Sequence, residues 1–150
     1  MNDTGGAVPT KALSACCGMT EVREDSEKRT TRRDYDLSER TARFAETVIR
    51  FAKTVPGNPV TASLITQLVK AGTSVGANYQ EADNAVSKRD FRNKIGICRK
   101  ESAETKYWLR MIVVAEPSLK EAARPLWQEA KELNLIFAQS FHTAADSRPG

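Results

Sequence analysis

The sequence has few of the side chains from which catalytic and metal sites are usually built. Its 150 residues include one histidine, His142, and three cysteines. A single imidazole excludes most multi-histidine metal sites and most Cys/His ligand sets of structural zinc. Cys16 and Cys17 are adjacent and Cys98 is distant, which is not the even, spaced set of a disulfide framework. We therefore expect reduced, free thiols, with a redox role for Cys16 and Cys17 as the alternative.

Long apolar runs are also missing. No segment approaches the roughly 18 consecutive apolar residues that a membrane span needs, and residues 1–20 lack the apolar core of a signal peptide. The sequence contains no G-x-G-x-x-G, Walker-type or G-x-S-x-G motif, so it offers none of the common nucleotide-binding and hydrolase signatures. These absences predict a cytoplasmic protein that has no cofactor and does not act in a membrane.

Composition divides the chain into three parts. Residues 1–33 contain glycine, proline and a mixed-charge run, and they offer no apolar face whose burial would offset the entropy of ordering. We expect a disordered leader over 1–33, a helical domain over 34–145 and a short tail over 146–150. Translation that begins at Met19 is an alternative explanation of the first 18 residues.

The domain shows four segments in which apolar residues recur at helical spacing. They predict helices over residues 37–54, 59–86, 88–115 and 119–143. Asn58 before Pro59 is an N-cap pattern, and Ser87 with Asp90 is a capping-box pattern. In the first helix the apolar repeat consists of Phe44, Val48, Phe51 and Val55. Four helices joined by short connections predict an all-α, antiparallel up-down-up-down four-helix bundle.

Two features interrupt these helical patterns. Gly72 and Gly76 lie four residues apart inside the second helix, where each costs ~1 kcal/mol relative to alanine. We expect them to permit the close approach of another helix. Pro125 lies inside the fourth pattern and predicts a kink or a late start there.

Positive charge is concentrated in the third predicted helix. Between Ser87 and Arg110 there are eight lysines and arginines and three acidic residues, a net charge of +5. The whole chain carries +4, so the remainder carries −1. On a wheel of ~100° per residue, five of these cations fall within ~40° of each other. This basic stripe consists of Lys88, Arg92, Arg99, Lys106 and Arg110.

The basic stripe predicts a nucleic-acid-binding surface, for RNA or DNA. We expect Tyr107 to be the only ring near the stripe, which favours phosphate contacts over base stacking and predicts weak sequence specificity. The alternative is an ordinary solvated surface. In a ring of subunits the stripe would repeat, the potentials would sum and a polyanion would contact several copies.

A second face of the third helix carries apolar residues as well. A bundle helix needs only one apolar face, so we expect this one to be a subunit interface of a homo-oligomer. The alternative is a wide core stripe with Trp108 at its edge. The predicted interface residues are Ile97, Glu101, Glu104, Trp108 and Met111.

Polar residues of the second and third helices are expected to form an interhelical hydrogen-bond network and not a catalytic set. The network residues are Ser74, Asn78, Glu81 and Lys94, with Asp90 or Glu101 as possible partners of Lys94. Ser74 has no neighbouring base to activate it. Glu101 and Glu104 have the spacing seen in di-metal bundles, but the histidine of that motif is missing, so no metal site is expected.

Several of these segments resemble the four-helix bundle proteins encoded in 23S rRNA intervening sequences. The matching segments are Thr73–Tyr79 with Glu81 and Ala82, Ser87–Phe91, Lys94 with Ile95, and Lys100 and Glu101 with Glu104–Leu109. The resemblance extends over about Asp36–Ser140. The residues at the family's characteristic polar and aromatic positions are Ser74, Asn78, Glu81, Lys94, Glu101, Glu104 and Trp108. Gln80, where a basic residue is common, removes one possible phosphate contact.

The resemblance implies a small bundle that assembles as a homopentamer and has no established enzymatic activity. One relative serves as accessory protein to the reverse transcriptase of diversity-generating retroelements and is thought to bind nucleic acid through a basic ring surface. We therefore expect a non-enzymatic homo-oligomer that binds nucleic acid. The alternatives are a protein-interaction scaffold, such as a reverse-transcriptase accessory, and an enzyme built on Ser74, Asn78 and Glu81.

Overall fold

The computed structural model describes residues 36–146, which form four α-helices and one 3-10 turn. The helices are α1 Leu37–Ala52, α2 Pro59–Asp83, α3 Lys88–Ala115 and α4 Lys120–Asp146, and the turn Pro117–Leu119 precedes α4. No strand occurs over residues 36–146, so the predicted all-α class is confirmed. The predicted leader, and the tail beyond residue 146, lie outside the described residues.

The helix starts follow the predicted caps. The Asn58 side chain accepts hydrogen bonds from the backbone N–H groups of Val60 (3.0 Å) and Thr61 (2.9 Å), and the Thr61 hydroxyl accepts one from the Asn58 N–H (2.9 Å). Ser87 Oγ accepts from the Asp90 N–H at 3.1 Å. Each cap satisfies donors that the first helical turn leaves unpaired.

The helix ends differ from the predictions. α1 ends two residues earlier, at Ala52, and α2 ends three residues earlier, at Asp83. Val86 is 95% exposed in the connection that follows. α4 begins at Lys120 and continues through Pro125, so the late start considered for that helix is wrong. Pro125 is the sixth residue of α4, beyond the four positions whose N–H groups lack intrahelical partners, so the helix lacks one backbone hydrogen bond there.

Side-chain contacts show that successive helices run in opposite directions, because residue numbers rise on one helix as they fall on its neighbour. Between α1 and α2 the contacts are Val48 with Gly72 and Thr41 with Gly76. Between α2 and α3 they are Val75 with Cys98 and Glu81 with Lys94. Between α3 and α4 they are Ser102 with Asn134 and Lys106 with Trp127. α3 thus contacts both α2 and α4. None of the helices over residues 36–146 is both long and apolar enough to cross a membrane.

The core is assembled from one apolar stripe on each helix. The predicted stripe of α1 is confirmed, since Phe44, Val48, Phe51 and Val55 are all at most 7% exposed. The apolar residues of the other helices that are at most 1% exposed are Leu68, Ala71, Val75, Ile95, Cys98, Leu109, Ile112, Ala130, Leu133 and Phe137. Small hydroxyl residues also lie in this core, and the hydroxyls of Ser102 and Thr105 donate to the carbonyls of Arg99 and Glu101 in their own helix.

The two glycines of α2 lie where α1 approaches. A methyl group added to Gly76 would lie 3.3 Å from the backbone oxygen of Thr41, which confirms the predicted close approach of a helix backbone. A methyl group on Gly72 would instead meet the side chain of Val48. α1 is also bound to α4, because the Arg40 guanidinium donates to Glu129 at 2.7 and 2.8 Å and to Glu132 at 2.7 Å. Hydrogen bonding to Glu129 raises the pKa of Arg40 above its ordinary value.

We expect Gly72→Ala to lower the free energy of unfolding. The added methyl would lie 2.7 Å from Val48 Cγ1 and 2.9 Å from Val48 Cγ2, and Val48 is fully buried. Overpacking of this kind costs ~1–3 kcal/mol, and the better helix propensity of alanine offsets ~1 kcal/mol of it. The net loss should therefore reach up to about 2 kcal/mol in urea unfolding followed by circular dichroism.

Gly57→Ala is the matched control for that substitution. Nothing lies within 4 Å of the position that a methyl group on Gly57 would take, so the free energy of unfolding should stay unchanged or rise by up to ~1 kcal/mol. If both alanine variants lost the same stability, the contact between Gly72 and α1 would not be the cause.

Candidate nucleic-acid interface

The basic stripe borders the groove between α3 and α4. The Arg92 guanidinium lies 4.4 Å from the centre of the Phe141 ring, and the Lys106 ammonium lies 5.9 Å from the centre of the Trp127 ring. Between them, Asn134 of α4 donates to the backbone oxygen of Arg99 at 2.7 Å. The contacts of α3 with α2 come from other residues, among them Lys94 and Cys98.

The five stripe residues are accessible and carry uncompensated charge. Four of them are exposed and Lys106 is half-buried. None forms an ion pair with another residue of the described range 36–146, whereas two of the three cations of α3 outside the stripe do. Lys94 is paired with Glu81, and Lys100 lies 3.7 Å from Glu104. The charge of the stripe is therefore available to an external anion.

α4 contributes cations that the sequence analysis did not select. Lys120, Arg124, Trp127 and Lys131 follow an i, i+4, i+7, i+11 spacing, which places them on one face of the helix. Lys120, Arg124 and Trp127 share a surface pocket with Arg110 of α3, and the Lys131 ammonium lies 5.8 Å from the Trp127 ring centre. The basic groove defined by both helices consists of the basic stripe together with Lys120, Arg124 and Lys131.

The spacing in α4 was a usable signal, but acidic residues of the same helix obscured it. Glu129 and Glu132 bring the charge of α4 close to balance, and they lie on another side of the helix, where they bind Arg40. A count along the helix therefore averages two faces of opposite sign. The separation of acidic from basic residues on α4 becomes visible only when it is known which helix each face contacts.

Aromatic rings are more numerous near the stripe than its own helix indicates. Trp127 and Phe141 of α4 both contact stripe residues, so the expectation that Tyr107 is the only nearby ring is wrong. Trp127 is 40% exposed. Tyr107 is exposed as well, and it packs edge-on against Trp108 with ring centres 4.9 Å apart. A search along one helix missed rings that the neighbouring helix supplies.

The predicted interface residues lie on another face of α3 from the stripe. Ile97 is 37% exposed, and Glu101, Glu104, Trp108 and Met111 are half-buried. The indole Nε1–H of Trp108 is enclosed and has no hydrogen-bond acceptor among residues 36–146. A buried donor without a partner costs ~1–3 kcal/mol, so an enclosed indole N–H without an acceptor is unusual on this face of α3.

Burial raises the pKa of Glu101 above the ordinary value of a glutamate, and the negative charge of Glu104 adds to the shift. Lys100 and Lys70 of α2 oppose it. The charge of Glu101 is thus costly to keep on this face of α3.

The predicted polar network contains a single interhelical pair within the described range. Lys94 bonds to Glu81 of α2, so Glu81 and not Asp90 or Glu101 is its partner, and this bond raises the pKa of Lys94. Asn78 donates to the backbone oxygen of Ser74 at 2.8 Å, which is a bond within α2. Ser74, Asn78 and Glu81 therefore do not form a nucleophile and base pair.

Cys98 is buried against α2, and desolvation raises the pKa of its thiol to about 12. Its Sγ lies 3.5 Å from the backbone oxygen of Val75. A thiol in this state is not a nucleophile at neutral pH. Over residues 36–146 no group of three or more His, Cys, Asp or Glu side chains is arranged to hold a metal ion.

Comparison with known proteins gives this geometry a context. The family model described as 23S rRNA-intervening sequence protein matches residues 33–139, which is more than two thirds of the chain. The chain belongs to this family. The match includes α1, α2 and both faces of α3 described above, and it extends into α4 as far as residue 139.

One solved structure is similar to this chain. It is a crystal structure of a protein of unknown function from the S23 ribosomal protein family of Bacteroides thetaiotaomicron, with 28% sequence identity and a TM-score of 0.62. The alignment covers 69% of this chain and 96% of that one. No curated protein shows a significant match to the chain.

We expect Glu101→Gln to stabilise the protein at about pH 7 and to have little effect at about pH 3. A carboxyl with a raised pKa binds its proton more tightly in the folded than in the unfolded state. Its destabilising effect is absent below the ordinary glutamate pKa of ~4.3 and complete above the raised pKa of the folded protein. Urea midpoints at both pH values, at one protein concentration, measure the difference.

Glu116→Gln serves as the control for removing one negative charge, because Glu116 is also half-buried and forms no ion pair within residues 36–146. If Glu101→Gln gained no more stability at neutral pH than Glu116→Gln, burial beside Glu104 would not govern the charge state of Glu101.

Proposed function

We propose that the protein is a non-enzymatic homo-oligomer, pentameric as the family resemblance implies, which binds nucleic acid with weak sequence specificity through the basic groove. One observation carries the proposal. The five cations of the basic stripe are aligned, accessible and without ion-pair partners over residues 36–146, while Lys94 and Lys100 on other faces of α3 are paired. Aligned unpaired cations are what a phosphate backbone requires of a binding surface.

The length of the stripe supports a polyanion as the ligand. Lys88 and Arg110 are 22 positions apart, which corresponds to ~33 Å along a helix. This distance is about one turn of duplex DNA, ~34 Å, and is far longer than a small anion. Cations from α4 widen the surface on the other side of the groove. A surface of this length, with few groups suited to base edges, favours backbone contacts and therefore weak specificity.

The geometry supports a role without catalysis. Two of the three polar side chains of α2 that an enzyme would use are engaged elsewhere, since Glu81 binds Lys94 and Asn78 binds the Ser74 carbonyl. The one buried thiol, Cys98, has a raised pKa. Binding and assembly use the two exposed faces of α3 instead.

The face that carries Ile97 and Trp108 is the proposed subunit interface. It combines exposed apolar surface with an enclosed indole donor that has no acceptor in residues 36–146. Because this face is separate from the basic groove, oligomerisation would leave the groove open and repeat it around the assembly. Several grooves acting on one polyanion raise its affinity through effective concentration.

We expect the triple variant Lys88→Gln, Arg99→Gln and Arg110→Gln to weaken binding of labelled RNA and DNA. All three residues are exposed and form no ion pair or ring contact within residues 36–146, so the fold should persist. The slope of log affinity against log salt should fall by ~0.7–0.9 for each phosphate that a cation no longer neutralises. Fluorescence anisotropy across a salt series measures both quantities.

The matched control changes three exposed cations of α1 and its following turn, Arg43→Gln, Arg50→Gln and Lys53→Gln. It removes the same charge and breaks two exposed pairs, each worth ~0.3–0.5 kcal/mol. The proposal predicts a much smaller loss of affinity than for the groove variant. Equal losses, or an affinity that does not depend on salt, would contradict binding through the groove.

We expect Ile97→Glu to reduce the mass of the assembly in light scattering, because it places a charge in the proposed interface. Ile49→Glu is the matched control, since Ile49 is 42% exposed and Ile97 is 37% exposed, and Ile49 lies on α1. The Ile49 variant should keep the wild-type mass. A monomeric wild-type protein, or identical masses for both variants, would refute the interface.

A further inference from the structure

A pocket of about 270 Å³ opens at the end of the basic groove, beside the turn that joins α3 to α4. Its apolar walls are Leu109, Val113 and Val114 of α3, with Ala123 and Trp127 of α4. Val114 is 70% exposed and Trp127 is 40% exposed. Two large apolar side chains are thus kept at the surface where the groove ends.

The rim of this pocket is positively charged. Arg110, Lys120 and Arg124 complete its lining, which contains no carboxylate. Arg124 forms an ion pair with Glu121 at 3.0 Å, but both side chains are largely exposed, and pairs of that kind are weak. Arg110 and Lys120 form no ion pair over residues 36–146. The pocket therefore combines an apolar interior with a cationic rim.

Trp127 lies between the pocket and the rest of the groove. The ammonium groups of Lys106 and Lys131 lie 5.9 and 5.8 Å from its ring centre, and neither lysine lines the pocket. The pocket residues lie nearer to the turn between the helices than these two lysines do. The indole thus contributes to the pocket lining, whereas Lys106 and Lys131 do not.

We propose that this pocket binds one unpaired base of a single-stranded nucleic acid, stacked on Trp127, while Arg110, Lys120 and Arg124 contact the adjoining phosphates. The inference rests on the proposed function and adds to it a preference for single strands. It requires no sequence-specific contact, because every base has a face that can stack on an aromatic ring.

Size and chemistry favour a base over other occupants. Pockets for whole drug-sized ligands measure ~300–1,000 Å³, so this one suits a single ring system. A purely apolar ligand would leave three cations unused, and a small inorganic anion would leave the apolar walls exposed. A nucleotide unit has both the planar ring and the negative charge that this lining complements.

The test compares three labelled probes of equal length: a single-stranded pyrimidine oligonucleotide, the same strand with abasic sites, and the duplex. We expect Trp127→Leu to weaken binding of the single strand by about 5- to 160-fold, the range of one base stacked on an aromatic ring. Binding of the abasic strand and the duplex should change less than twofold, and the salt slope should stay the same. Anisotropy titrations give all of these values.

Two further variants separate stacking from general effects. Trp127→Phe keeps an aromatic ring and should retain most of the affinity for the single strand. Tyr107→Leu removes an exposed ring of α3 that does not line the pocket, and it should bind all three probes as the wild type does. Circular dichroism and urea midpoints establish that each variant is folded before it is compared.

Two outcomes would overturn the inference in different ways. If the wild type bound the single strand and its abasic counterpart equally tightly, and Trp127→Leu bound as tightly as the wild type, base stacking would be refuted while binding through the basic groove would stand. If no probe bound in a salt-dependent manner, the proposed function itself would be refuted, and the inference with it.

Discussion

Burial of the apolar stripe of α3 between α2 and α4 fixes where every other face of that helix lies. Ile95, Cys98, Leu109 and Ile112 are at most 1% exposed, so α3 cannot rotate without exposing them or burying charge. Full burial of such a side chain is worth ~1.5–3 kcal/mol, whereas an unpaired charge is very costly to bury. The orientation that satisfies both conditions places the basic stripe along α4 and the face of Ile97 and Trp108 away from it.

The same constraint explains how a chain of modest net charge can present a strongly basic surface. Several acidic residues of the bundle lie on faces where they have cationic partners, as Glu81 does with Lys94 and Glu129 does with Arg40. The cations of the basic stripe have no such partners over residues 36–146. Acidic and basic residues are thus separated by helix face and not by helix. The positive potential in the groove therefore exceeds what the net charge of +4 for the whole chain indicates.

Much of the fold could be predicted because its signals are local. The N-caps at Asn58 and Ser87 involve residues within three positions of each other, and the apolar repeat of α1 specifies its buried face without reference to other helices. Helix ends were predicted less well, because apolar residues such as Val86 continue a pattern beyond the point where the helix stops. The family followed from several motifs in order, each of which lies within one helix.

The candidate site was predicted only in part, because a groove belongs to two helices. The stripe was visible on α3 alone. The cations of α4 could be assigned to the same surface only once it was known that the Trp127 side of α4 contacts α3 and that the Glu129 side contacts α1. Likewise, the partner of Lys94 lies 13 positions earlier in the chain, and helical periodicity carries no information about such a pair. Features set by local conformation were therefore predicted, and features that depend on contacts between distant residues were not.

The unpaired cations of the basic stripe also affect the folded protein when nothing is bound. Like charges held along one helix repel each other, and unfolding lets them move apart, so the empty bundle contains electrostatic strain. Dissolved ions shield this repulsion, and a polyanion relieves it more completely while stabilising the folded state by mass action. Higher ionic strength should therefore raise the stability of the unbound protein and lower its affinity for a polyanion.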